Sequence, residues 1–121
     1  MSFALAARIV AAVCVVLFVI LTVFPSLYTP TYGVPADQGV QFMTRRASPM
    51  FLGTAVVLWA AARSPPTSLR DAVAFGVAVI FAGIAVTGVL AFVQGIAAPT
   101  VLVAAAFECL AAGVLVAVRK N

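Results

Sequence analysis

The 121-residue chain contains no histidine, one tryptophan and only three acidic residues, and charged residues of both signs make up 8% of it. Without histidine, the commonest metal ligand and general base are both missing. A soluble domain carries roughly 25% charged residues, whereas the charges here are seven Lys+Arg and three Asp+Glu. They are too few to cover a folded surface, which excludes a water-soluble monomer. The two cysteines, Cys14 and Cys109, lie singly inside apolar runs and form no C-x-x-C pair. Such placement predicts buried, inert thiols and no redox or metal motif.

Apolar residues fill the rest: 65% of the chain is hydrophobic and its mean hydropathy is +1.24. The net charge is +4, but no basic cluster exceeds Arg45-Arg46 or Arg119-Lys120. Basic groups scattered at the ends of apolar runs are topological anchors of a membrane protein and make no stripe for nucleic acid. A bilayer core about 30 Å thick takes about 20 helical residues to cross, which leaves room for four or five spans and no separate soluble domain.

The composition and its breaks predict an all-α fold, a polytopic transmembrane four-helix antiparallel bundle forming one integral membrane domain over 1–121. Its spans fall at about 3–24, 36–62, 71–93 and 100–118. The first run, Phe3 to Phe24, ends at Pro25 without a clear small-residue cleavage site, so it reads as a retained span and not a signal peptide. Prolines at 25, 30 and 35, with Tyr28, Tyr32 and Gly33, break the next stretch into an interfacial loop. The second span is expected to begin near Pro35, with Asp37 at the positive end of the helix dipole and a bend at Pro49. Ser68-Leu69-Arg70-Asp71 matches the start of a capped third helix, with Ser68 as the cap. On this layout Arg8, Arg63, Arg70, Arg119 and Lys120 share one side, against Arg45 and Arg46 opposite. Both termini are then expected in the cytoplasm.

Glu108 lies near the middle of the fourth span, where an isolated carboxylate in hydrocarbon needs a partner or a proton. Successive helical residues sit about 100° apart, so only one of Arg45 and Arg46 can face the bundle. The row Arg46, Met50, Gly53, Val57 contains a small residue suited to close packing, which selects Arg46 as the partner. In the third helix Gly76, Gly83 and Thr87 form a row that reads as a packed face, with Thr87 near the depth of Glu108. In the fourth, Ala104, Glu108 and Ala112 line up similarly. The expected site is therefore a buried polar cluster of Arg46, Thr87 and Glu108, with Trp59 anchoring the inner interface.

Tyr32-Gly33-Val34-Pro35, Arg46 followed by Gly53, Trp59-Ala60-Ala61 with Arg63, and Phe107-Glu108 together resemble a group of small bacterial four-span membrane proteins of unknown function, DoxX-like in architecture. The resemblance covers nearly the whole chain. It implies a four-helix bundle in which Arg46 and Glu108 are the group's polar positions, and it implies no particular activity. Pro49 departs from the small residue usual there. Small multidrug exporters match in length, but their pattern needs a glutamate in the first helix, and that helix has no acidic residue.

The function expected from these residues is that of a small non-enzymatic multi-pass protein of the bacterial inner membrane, an accessory subunit or a small lipid- or ligand-binding bundle. The alternative is a proton-coupled small-molecule carrier using Glu108. No nucleophile, base and oxyanion-donor constellation is visible. No cofactor or metal is expected; the partners are the bilayer and a homo-oligomer or larger membrane complex.

Overall fold

Backbone N–H and C=O groups in hydrocarbon have no water to bond, so long apolar runs are driven to helix. The structure, a computed structural model, describes residues 1–121 and is helical throughout, with no strand. Helix α1 (Phe3–Val23) is capped by Ser2, whose side chain accepts from Leu5 N. Pro25 cannot continue it and instead opens α2 (Pro25–Tyr28), followed by a 3-10 turn over Thr29–Tyr32. The stretch expected as a plain loop is thus two short helical turns. Helix α3 (Gln38–Ala61) starts later than Pro35 because Asp37 takes the cap, its Oδ1 accepting from Val40 N at 2.8 Å. Helix α4 (Ser68–Val93) is capped by Thr67 and not by Ser68, which becomes its first residue. Helix α5 (Thr100–Val118) completes the chain.

Three helices, α1, α4 and α5, are long and apolar enough to cross a membrane. Helix α3 is not among them, since Gln38, Gln41, Arg45 and Arg46 fall in its N-terminal part. Around the bundle the order is α1, α3, α4, α5, so α3 and α5 lie diagonally opposed. The pairs α1–α3 and α4–α5 pack closely along their lengths, while the α1–α5 and α3–α4 seams are sparse. Alanines make the close approach: Ala6, Ala7 and Ala11 on α1, Ala55 on α3, Ala74 and Ala78 on α4, and Ala112 on α5 all lie in the core. The expected row Ala104, Glu108, Ala112 on α5 does face the protein, with Ala112 buried and the other two half-buried, but the expected rows on α3 and α4 point elsewhere. Gly53, Gly76 and Gly83 are exposed, and a Cβ added at any of them would meet open space. Only 22 of 121 residues are buried, and Val79 and Val93 are among many large apolar side chains on the outer surface, as a lipid-facing bundle requires.

Polar groups pin the helix ends. Arg70, only 5% exposed, donates through Nε and Nη2 to the Arg119 carbonyl and through Nη2 to the Asn121 carbonyl. Its guanidinium lies 4.5 Å from the Phe3 ring centroid. One cation thereby joins the start of α4, the end of α5 and the start of α1, at the negative end of the α5 dipole. On the same end Arg8 and Arg63 approach the Trp59 ring at 6.0 and 5.5 Å.

At the opposite end Pro49 lacks an N–H, which orphans the Arg45 carbonyl one turn earlier. The Ser48 hydroxyl donates to that carbonyl at 2.8 Å, so in its 2.7 Å bond with the Thr22 hydroxyl Ser48 is the acceptor. Arg45 Nε donates to the Thr22 carbonyl at 3.3 Å. The end of α1 is stapled to α3 at the one point where the α3 ladder is broken. Ser48→Ala is expected to cost about 1–3 kcal/mol in reversible unfolding in micelles, because a buried carbonyl loses its donor. Adding Pro49→Ala to that chain restores the missing N–H and recovers part of the loss.

Candidate functional site

Where the α1–α5 seam is sparse, a groove of about 410 Å³ opens between the two helices, with Phe51 of α3 and Phe81 and Ile84 of α4 behind it. Every residue lining it is hydrophobic except Glu108. Ile9 and Val13 on one wall and Phe107 and Leu110 on the other are half or more exposed, so the groove faces the surroundings of the bundle along its side. Met1 lines one end and the Tyr28–Tyr32 pair the other.

The tyrosine end is built by local sequence. Spaced four apart, Tyr28 and Tyr32 meet edge to face with ring centroids 5.2 Å apart. Gly33 stops the turn in the left-handed region at φ 74°, and a Cβ there would sit 3.0 Å from the Ala98 Cβ, so glycine is required twice over. The Ala98 N–H donates to the Tyr32 carbonyl at 2.7 Å, and the Thr100 hydroxyl to the Thr31 carbonyl at 2.6 Å. These bonds tie the aromatic pair to the start of α5. Glu108 follows eight residues later, about 12 Å along the same helix.

Of the three residues expected to cluster, the structure brings none together. Glu108 is half-buried in the groove wall. Arg46 is exposed, with its guanidinium 5.9 Å from the Phe42 ring centroid. The buried face of α3 runs through Ser48, Ala55 and Leu58, and Ser48 lies two residues, about 200°, around the helix from Arg46. Arg45 is level with the last turn of α1 through its bond to Thr22, which places the arginine pair at the edge of the bundle. The diagonal placement of α3 and α5 separates them further. Thr87 is exposed and bonds its own helix, donating to the Ile84 carbonyl at 2.8 Å. Cys14 is buried as expected, but Cys109 is exposed.

The groove contains no basic residue. Its other polar atoms are the two phenols, with the Tyr32 hydroxyl donating to that of Tyr28 over a long 3.4 Å. The sequence places the tyrosines in an outer loop that reads as an interfacial lid or a recognition surface, and their i, i+4 spacing is the signal for one shared face. Burial pushes the Tyr28 hydroxyl far above the usual phenol range, and the bond to Tyr32, the charge of ionised Tyr32 and the Glu108 carboxylate push the same way. Ionising it would place an anion in an apolar wall beside a carboxylate, so Tyr28 stays a neutral donor. In Tyr32→Phe, which leaves Tyr28 the sole phenol, tyrosinate absorbance is expected only well above the pH of about 10 at which a free phenol titrates. Adding Glu108→Gln should move that onset back down.

No protein-family model, curated protein or solved structure matches this chain.

Proposed function

We propose that this chain is a small non-enzymatic multi-pass membrane protein whose four-helix antiparallel bundle binds a hydrocarbon chain of a lipid or other amphiphile in the α1–α5 groove. The observation that carries this reading is the groove itself. Its volume of about 410 Å³ falls in the range of small-molecule sites, roughly 300–1,000 Å³, and its side opening gives a chain in the bilayer direct access. A bundle of this kind serves equally as an accessory subunit of a larger membrane complex or as a homo-oligomer.

In this reading α3 is the fourth span. It runs back along α1 from the Thr22–Ser48 contact to the Arg8–Trp59 contact, covering nearly the same depth. The resemblance to DoxX-like proteins implies the same count. Arg8, Arg63, Arg70, Arg119 and Lys120 against Arg45 and Arg46 orient both termini toward the cytoplasm of a bacterial inner membrane. Single cysteines introduced at Ala36 and Ser64 of a chain cleared of Cys14 and Cys109 test it. A membrane-impermeant maleimide applied to intact cells should label the first and spare the second; equal labelling would mean that α3 does not cross.

Chain binding is tested with radiolabelled decanol in equilibrium dialysis against the protein in neutral-detergent micelles, with protein-free micelles as blank. Wild type should bind saturably. Ala111→Phe, which places a ring into the groove, should weaken binding about tenfold or more, the loss of a few buried methylenes. A second reading, the proton-coupled carrier, is favoured by the same absence of a basic partner for Glu108, which leaves the carboxylate free to take up and release a proton. Uptake by proteoliposomes across a pH gradient separates it from a static binder.

A further inference from the structure

We infer that the occupant of the groove is a cationic amphiphile, an amine or quaternary ammonium on a single hydrocarbon chain, held with its charged head against Glu108 and its chain along α1 and α5. This inference rests on the groove reading and adds the chemistry of the head group. Three observations carry it.

The first is charge. Glu108 carries the one charged side chain in the lining, and the seven Lys and Arg side chains of the chain all lie outside it, while the Met1 amine sits at the far end from the phenols. A carboxylate in an apolar wall is stabilised by pairing, and no cationic side chain lines the groove to pair with it. A ligand cation completes the pair, whereas an anionic head would set two like charges in one apolar cleft.

The second is the position of the polar groups. The two phenols close one end of the groove and Glu108 stands on their side of its middle, four residues from Ala104 and six from Val114, while the wall from Glu108 to Val114 continues for about 9 Å of apolar surface toward Met1. A head at one end and a chain along the rest is the shape of an amphiphile.

The third is the aromatic pair. The Tyr28 and Tyr32 rings line the same groove, and aromatic faces attract ammonium groups, quaternary ones above all. Since Tyr28 accepts from Tyr32, its own proton stays uncommitted, and a neutral phenol at this end leaves the Glu108 charge for a ligand cation.

The experiment compares three probes with the same chain, decyltrimethylammonium, decanol and decyl sulfate, by the dialysis described above at low salt. Wild type is expected to bind the cation about tenfold or more tighter than decanol, the worth of one charge-assisted contact, and to bind the sulfate more weakly than either. Glu108→Gln should bring the cation down to the decanol level while decanol still binds saturably, which also reports that the variant is folded. If wild type binds sulfate as well as the cation, the inference is overturned whatever the variant does. Undiminished cation binding by a Glu108→Gln protein that still binds decanol overturns it too. Saturable binding without charge preference would remove the cation assignment and leave the chain-binding groove in place. No saturable binding of any probe would remove both.

Discussion

A buried guanidinium that no acidic side chain pairs holds the bundle together. Arg70 serves three helices at once, donating to the last carbonyls of the α5 end and lying on Phe3 of α1 while forming the first turn of α4. Past the end of the α5 ladder those oxygens have no intrahelical donor, and the cation needs both the acceptors and the aromatic face to be tolerated in so buried a position. The adjacent Arg119 guanidinium repeats the pattern on Phe75, 4.7 Å from its ring centroid. The register between α4 and α5 is set at this end, and with it the height of Glu108 in the groove.

From this end the helices are organised as two hairpins. Within each, alanine faces let the backbones approach closely; between them, on the α1–α5 side, the larger side chains of Leu17, Phe81 and Phe107 stand around a gap and do not fill it. The hydrophobic effect supplies no penalty for leaving such a seam open in a bilayer, because lipid chains cover apolar surface as well as a neighbouring helix does. In water the same groove would tend to collapse. An open groove on this side is therefore compatible with lipid as the solvent of the fold.

The polar residues divide by role. Ser48, Thr22 and Arg45 repair the helix that Pro49 breaks; Gly33, Ala98 and Thr100 fix the aromatic end of the groove. The Glu108 carboxylate makes no hydrogen bond or ion pair within the fold. An intramembrane carboxylate that no structural contact uses is the residue around which a functional reading is built.

The sequence by itself determined the solvent and the elements. Ten charges in 121 residues require lipid, and the runs of α1, α4 and α5 are legible because helix formation in hydrocarbon depends on local composition alone. The singularity of Glu108 was legible for the same reason: a lone acid in an apolar run is visible without knowing its neighbours. Which residues meet it was decided only in the tertiary structure. A row such as Arg46, Met50, Gly53, Val57 or Gly76, Gly83, Thr87 shows that side chains share a face, but a helix apolar nearly all round carries no signal for which face turns inward. That choice was made by alanine packing, by the Pro49 repair that turns Ser48 toward α1, and by a helix order that sets α3 and α5 across a diagonal. Those contacts join residues far apart in the chain, and they leave the carboxylate facing an open groove instead of an arginine.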